Sequence, residues 1–264
     1  MRSKRKISLL LAASLLAAVT VLSGWMIYDE LSSRQKEKED FDALAELVEM
    51  PVTNPPITSE PPPAETAEPG EATEPEEPLR DLSPLFEQNS ECIGWLCIPN
   101  TAVNYPVMHT PRNPQKYLRM NFYGEYSQSG VPFLDYRCSV DSGNLLIYGH
   151  NMKNGTMFRD IARYSEKNYF DTHRQIWLYT PQEILELEAV EWFSAPNSRE
   201  LREQCLTEQT KGTYVFVTCS YDGKDNRGIL WAREVSRVEL PNKKSYGMIL
   251  FGIDENKSSI VDRK

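Results

Sequence analysis

Between Ile7 and Tyr28 the chain runs 22 residues without a charged side chain, directly after the basic start Met1-Arg2-Ser3-Lys4-Arg5-Lys6. As a helix at 1.5 Å per residue, such a run reaches about 33 Å, against a hydrocarbon core of about 30 Å. The spacing predicts a single transmembrane helix over residues 7–28, with residues 1–6 held on the cytoplasmic side by their basic charge and everything after Asp29 outside. A cleaved signal peptide is the competing reading, although its apolar centre usually spans only about 7–15 residues.

Charge and proline are distributed unevenly along the rest. Residues 1–28 carry four basic groups and no acidic one; residues 29–81 carry sixteen acidic against four basic; residues 82–264 carry 22 acidic against 21 basic. Nine of the eighteen prolines lie between Pro51 and Pro78. Asp29–Met50, with Phe41, Leu44, Leu47 and Val48, is expected to form a short helix above the membrane. Pro51–Arg80 has almost nothing large and apolar to offset its ordering entropy, so an extended spacer is expected there. Residues 29–81 read together as an acidic, Pro-rich extracytoplasmic stalk. The near-neutral remainder lacks the concentrated basic face of a nucleic-acid-binding domain, so no nucleic-acid partner is expected.

Beyond Asp81 short runs rich in β-branched and aromatic residues alternate with turn formers, which predicts a mainly β domain over residues 82–240 and a polar tail over 241–264. Eight strands are expected: Gly94–Ile98, Val103–Val107, Val131–Asp135, Leu145–Tyr148, Gln175–Tyr179, Ile184–Phe193, Tyr214–Cys219 and Gly228–Glu239. Helices are expected at Ser83–Ser90, Met157–Tyr164 and Ser198–Gln209, the last with Ser198 as N-cap and Leu201, Cys205 and Leu206 on one side. Eight strands with helices confined to the connections point to a closed or nearly closed barrel, because closure removes exposed edges.

Only three histidines are present, His109, His150 and His173. None belongs to an HExxH or to a Cys/His pair at zinc spacing, and Cys92-x4-Cys97 has no second pair, so no metal and no cofactor is expected. Cys92, Cys97, Cys138, Cys205 and Cys219 make an odd count, which outside the cell leaves at least one thiol unpaired unless it joins another chain. Cys219 ends the apolar strand Tyr214-Val215-Phe216-Val217-Thr218-Cys219. A seven-residue polar loop follows, and an antiparallel return would bring Arg227 level with Cys219 on the next strand. A guanidinium there favours a thiolate or holds a developing oxyanion. Arg233 lies on the same expected strand and is a rival. Gly149-His150-Asn151 ends the strand Leu145-Leu146-Ile147-Tyr148, which would bring His150 to the same rim. His109 and His173 read as ordinary surface residues.

These segments carry a resemblance. Leu146-Ile147-Tyr148-Gly149-His150-Asn151-Met152-Lys153-Asn154-Gly155-Thr156-Met157-Phe158 resembles the histidine segment of class B sortases, and Val217-Thr218-Cys219-Ser220-Tyr221 followed by Arg227 resembles their cysteine and arginine segments. Ile93-Gly94-Trp95-Leu96-Cys97-Ile98-Pro99 with Asn104-Tyr105-Pro106-Val107, and Phe133-Leu134-Asp135-Tyr136-Arg137, agree in the same order. The resemblance implies a sortase-type eight-stranded β-barrel with a few peripheral helices. It also implies a transpeptidase of Gram-positive type bacteria that cleaves a sorting signal in exported proteins and joins them to an amine of a cell-wall precursor or of another protein, such as a pilin lysine. By analogy Cys219 is the nucleophile, His150 the general acid and base, and Arg227 the residue that positions substrate and stabilises the oxyanion. A thiolate-poor cysteine needs positive neighbours for such work, and a departing amine needs a proton.

Substrate contacts are expected at Leu118, whose Tyr117-Leu118 pair resembles a groove-lining pair of the family, and at Ser220 beside the nucleophile. Core packing is an equal alternative for Leu118. Tyr136, Tyr148 and Tyr221 read equally as groove-lining or packing residues. Specificity is expected to reside between Thr180 and Gly212. A purely hydrolytic cysteine protease and an inactive sortase-like binding module remain the alternatives of other classes.

Overall fold

The computed structural model of the chain describes residues 2–48, 80–207, 212–219 and 225–240. Ser220 and Tyr221, residues 49–79 of the expected stalk and the tail 241–264 lie outside these residues. Two compact units are present, Met1–Glu46 and Leu47–Lys264.

The first unit is helical. α1 spans Arg2–Val48 without interruption, so the helix expected only from Asp29 continues from the apolar run itself. No proline or glycine pair intervenes between the two stretches to break it. Leu15, Leu16, Leu22, Trp25 and Met26 of its apolar run are exposed, whereas Phe41, Leu44 and Val48 near its end are buried. α1 contains the one segment among the described residues that is long and apolar enough to cross a membrane.

The second unit is a closed mixed barrel of eight strands in the order β1-β2-β3-β4-β7-β8-β6-β5. The strands are β1 (Cys92–Cys97), β2 (Asn104–Met108), β3 (Phe133–Leu134), β4 (Leu145–Tyr148), β5 (Gln175–Tyr179), β6 (Glu183–Pro196), β7 (Thr213–Cys219) and β8 (Asn226–Glu239). Two pairs run parallel, β2 with β3 and β4 with β7, and the rest antiparallel. All eight expected strands are present. β3 is shorter than Val131–Asp135, because Pro132 has no N–H for a ladder and only its carbonyl is used, by Met108 N–H at 2.9 Å. β6 outruns its expected end at Phe193 because β8 pairs with it as far as Pro196↔Asn226.

The helices sit in the connections: α2 (Ser83–Gln88), α3 (Arg159–Ala162), α4 (Lys167–Thr172) and α5 (Arg199–Thr207). Met157 cannot open α3 as expected, since its φ is +56° and it bridges back to Asn151. Ser198 caps α5, its Oγ accepting from Leu201 N–H at 3.0 Å. The core is filled by Trp95, Leu96, Ile98, Val107, Leu146, Phe158, Val215, Phe216 and Leu230. Arg80, at the end of the expected spacer, is also buried, its guanidinium 5.9 Å from the centroid of Trp95 and 5.5 Å from that of Tyr179. The folded unit therefore reaches back past Leu82.

Candidate active site

The parallel pairing of β4 with β7 sets the geometry. Tyr148 is level with Val217, and Gly149 N–H donates to the Val217 carbonyl at 3.1 Å. Two residues further along each chain stand His150 and Cys219, so both emerge at one rim. Asn151 Nδ2 donates to the Cys219 carbonyl at 2.8 Å, stitching the histidine segment to the end of β7. On the other side of Cys219, the β7–β8 register pairs it with Arg227. Arg233, the rival arginine, faces Thr213 at the far end of the same ladder and bonds Glu188 at 2.6 and 2.9 Å.

Local packing fixes the histidine. A Cβ at Gly149 would meet the Phe158 ring at 2.5 Å, so only glycine lets that buried ring lie against the backbone next to His150. Phe158 N–H donates to the His150 carbonyl at 2.8 Å. The imidazole Nε2 lies 2.9 Å from the Leu118 carbonyl. A carbonyl only accepts, so Nε2 carries the proton and Nδ1 is the position free to exchange one. Gly130 packs behind that carbonyl with φ +60°, where a Cβ would meet the Tyr117 and Leu118 oxygens at 2.4 and 2.9 Å. Burial lowers the pKa of His150 below its ordinary 6.5; the Leu118 carbonyl opposes this, and the charges of Arg119 and Arg227 add to it.

His150, Cys219, Arg227 and Leu118 all line one cleft of about 660 Å³. Leu146 and Tyr148, alternating along β4, line it as well, together with Val217 and Thr218 at the end of β7. Arg227 is 25% exposed in its side chain; its Nη1 reaches Asp225 Oδ1 at 3.3 Å and the Asn226 carbonyl at 3.1 Å. Cys92, Cys97, Cys138 and Cys205 are buried whereas Cys219 is part-exposed. Burial pushes the Cys92 thiol up to about 12 and raises Cys138 too. These two are packing residues at neutral pH.

Three groups at the site escaped the sequence, and two of them, Asp135 and Arg202, line the cleft. Asn151 stands inside the histidine motif but its bond to Cys219 depends on the parallel register. Asp135 is buried and bound two-pronged by Arg137 at 2.8 and 2.9 Å, with the Tyr148 hydroxyl donating to it at 2.9 Å. Burial by itself would raise its carboxyl, but Arg137 and Tyr148 hold it below the usual carboxylate range. Arg202, from α5, has no local signal at all. His109 and His173 are both part-exposed; burial lowers the pKa of His109, and His173 stacks on Tyr169 at 3.9 Å.

The sortase-domain family model matches residues 96–235, more than half of the chain. Sortase B of Listeria monocytogenes is 39% identical over 97 residues, covering 36% of this chain and 38% of that protein. Sortase B of Staphylococcus aureus is 30% identical over 99 residues, covering 35% and 40%. The matched stretch thus spans about two fifths of the length of these curated relatives. Among solved structures, Clostridium perfringens sortase B gives a TM-score of 0.51 at 26% identity, covering 59% of this chain and 100% of that one. Sortase B from Bacillus anthracis, in complex with AAEK1, gives 0.51 at 26% identity, covering 60% and 85%. With its closed barrel, its ordered histidine, cysteine and arginine segments and these relatives, the chain belongs to the sortase family and within it to class B.

Proposed function

We propose that the protein is a membrane-anchored cysteine transpeptidase that cleaves a sorting signal in exported proteins and passes the acyl group to an amine of a cell-wall precursor or another protein. The observation that carries this reading is the register of Cys219 with Arg227 beside a cleft that also takes in His150. In this reading the Cys219 thiolate attacks the carbonyl of the sorting-signal threonine, and the carbonyl electrons move onto oxygen, where Arg227 holds them. Collapse breaks the C–N bond, His150 gives its proton to the departing amine, and a thioester remains on Sγ. An incoming amine then attacks the thioester, returns a proton to His150 Nδ1 and releases the thiolate. Leu118 serves this scheme twice, orienting His150 through its carbonyl and contacting substrate with its side chain. Ser220 contributes through its backbone or hydroxyl.

The anchor in this reading is residues 7–28, with residues 1–6 cytoplasmic, residues 29–81 a stalk and residues 82–240 the extracytoplasmic catalytic domain. It is supported by the exposed apolar side chains of α1, which lipid would cover. The test uses the full chain in detergent micelles with peptides of the Asn-Pro-x-Thr type and an excess of a primary amine, followed by mass spectrometry. Transfer predicts an amide product after the threonine, absent in Cys219→Ala. Acid product alone at saturating amine would make the enzyme a protease, and an intact peptide panel would remove the activity.

A further inference from the structure

We propose that the cleft holds a carboxylate-binding subsite beside Cys219, with Arg202 of α5 as its specificity-determining residue. This rests on the transpeptidase reading above and names a chemical feature of its substrates. Arg202 Nη1 donates to Asn197 Oδ1 at 2.6 Å. Asn197 follows directly on β6, its N–H donating to the Asp225 carbonyl at 3.0 Å, and Ala195 two residues before it pairs with Arg227. From this footing the Arg202 guanidinium also acts on the phenol of Tyr148, on β4. β4 and β8 flank β7 on its two sides, and Arg202 lines the same cleft as Cys219.

Its charge also acts on Glu200, two residues before it, but Glu200 does not line the cleft. The two carboxylates lining the cleft are both engaged by Arg137, Asp135 at 2.8 and 2.9 Å and Glu203 at 2.8 Å. Among the described residues no carboxylate lies within ion-pair reach of Arg202, whose bond is to a neutral amide. Arg199, one turn away on the same helix, adds a second cation at the cleft mouth, 4.0 Å from Glu203 and 85% exposed. A planar guanidinium steadied by an amide presents its remaining N–H groups as a fork that fits a carboxylate. The ligand carboxylate has two sources of the same chemistry: an acidic side chain of the acyl donor, or a carboxylate next to the acceptor amine.

The test compares alkylation of Cys219 by iodoacetate and by iodoacetamide in the full chain in detergent micelles, read by mass spectrometry. The two reagents differ in charge at nearly constant size, so their rate ratio isolates the anion subsite from thiol reactivity. We expect Arg202→Gln to lower the iodoacetate-to-iodoacetamide ratio about fivefold, the factor for two unit charges about 4 Å apart in a water-like medium, and Arg202→Lys to retain most of it. An equal ratio in the parent and in Arg202→Gln overturns the subsite. Failure of both reagents to modify Cys219 removes instead the nucleophile on which the transpeptidase reading stands, and the subsite with it. Two further arms identify the source: donor peptides matched as Asp and Asn next to the threonine, and glycine against glycinamide as acceptor. A charge preference lost in Arg202→Gln in one arm assigns the carboxylate to that substrate, and charge-independent rates in both arms overturn its role in substrate selection.

Discussion

Arg227 and Arg233 lie on the same strand, opposite Cys219 and Thr213, and their surroundings differ in a way that a stability argument would reverse. Arg233 is 66% exposed and yet makes two bonds to Glu188 at 2.6 and 2.9 Å. Beyond it Arg237 is tied to both Glu183 and Glu234. Arg227 is the more buried, at 25% exposure, and among the described residues its carboxylate contact is a 3.3 Å approach to the well-exposed Asp225. Burial of a cation with so little compensation is unfavourable. At the far end charge serves the ladder; at the rim the fold tolerates a poorly satisfied guanidinium beside a part-exposed thiol, which is how functional sites depart from the rest of a structure.

The largest effect should come from breaking that contrast. Arg227→Lys keeps the charge and loses the two-pronged donor, so acylation by a sorting-signal peptide should fall roughly 10²–10³-fold. Arg233→Lys should stay within about twofold, since an exposed ion pair contributes about 0–1 kcal/mol. Steady-state kinetics on both variants decide the matter, and the reverse pattern would transfer the role to Arg233. Next in size is Gly149→Ala, whose methyl would collide with the buried Phe158 ring. Thermal denaturation should show a loss of about 1–3 kcal/mol, and the activity of whatever remains folded should fall because His150 adjoins the displaced backbone.

A smaller effect concerns protonation. The His150 pKa is lowered in the folded chain by burial and then by Arg119 and Arg227, so NMR titration should place its midpoint below 6.5. Removing one of those charges in Arg227→Gln should move the midpoint upward. A folded pKa below the unfolded one contributes stability that is present above the unfolded pKa and lost as pH falls through the folded one. Unfolding midpoints should therefore drop on acidification past the His150 titration. The smallest effect is expected at Glu188→Gln, within about 1 kcal/mol by denaturant titration, with acylation unchanged.

Much of the barrel was legible because each strand is a short apolar run closed by turn formers. Leu145–Tyr148 and Gln175–Tyr179 coincide with β4 and β5 to the residue. Ends set by tertiary pairing were not: β6 is carried to Pro196 by its partner β8, and Met157 is kept out of α3 by a left-handed backbone and a bridge to Asn151. The same division runs through the site. Cys219, His150 and Arg227 stand at strand ends inside readable motifs, so the rim could be assembled from sequence. The carbonyl of Leu118 on His150, the amide of Asn151 on Cys219 and the guanidinium of Arg202 at the cleft join residues 32, 68 and more positions apart or separate elements. No local pattern encodes such meetings.

In the proposed function one thiol of five does the chemistry: Cys219 is part-exposed at a rim shared with His150 and Arg227, whereas Cys205, which lines the same cleft, is buried. The most direct test of this central claim is to incubate the full chain with sorting-signal peptides without added amine, quench in acid and map the acylated residue by mass spectrometry. The account predicts a thioester on Cys219 and none on Cys92, Cys97, Cys138 or Cys205. An acyl group on any of those four, with Cys219 unmodified, would contradict it.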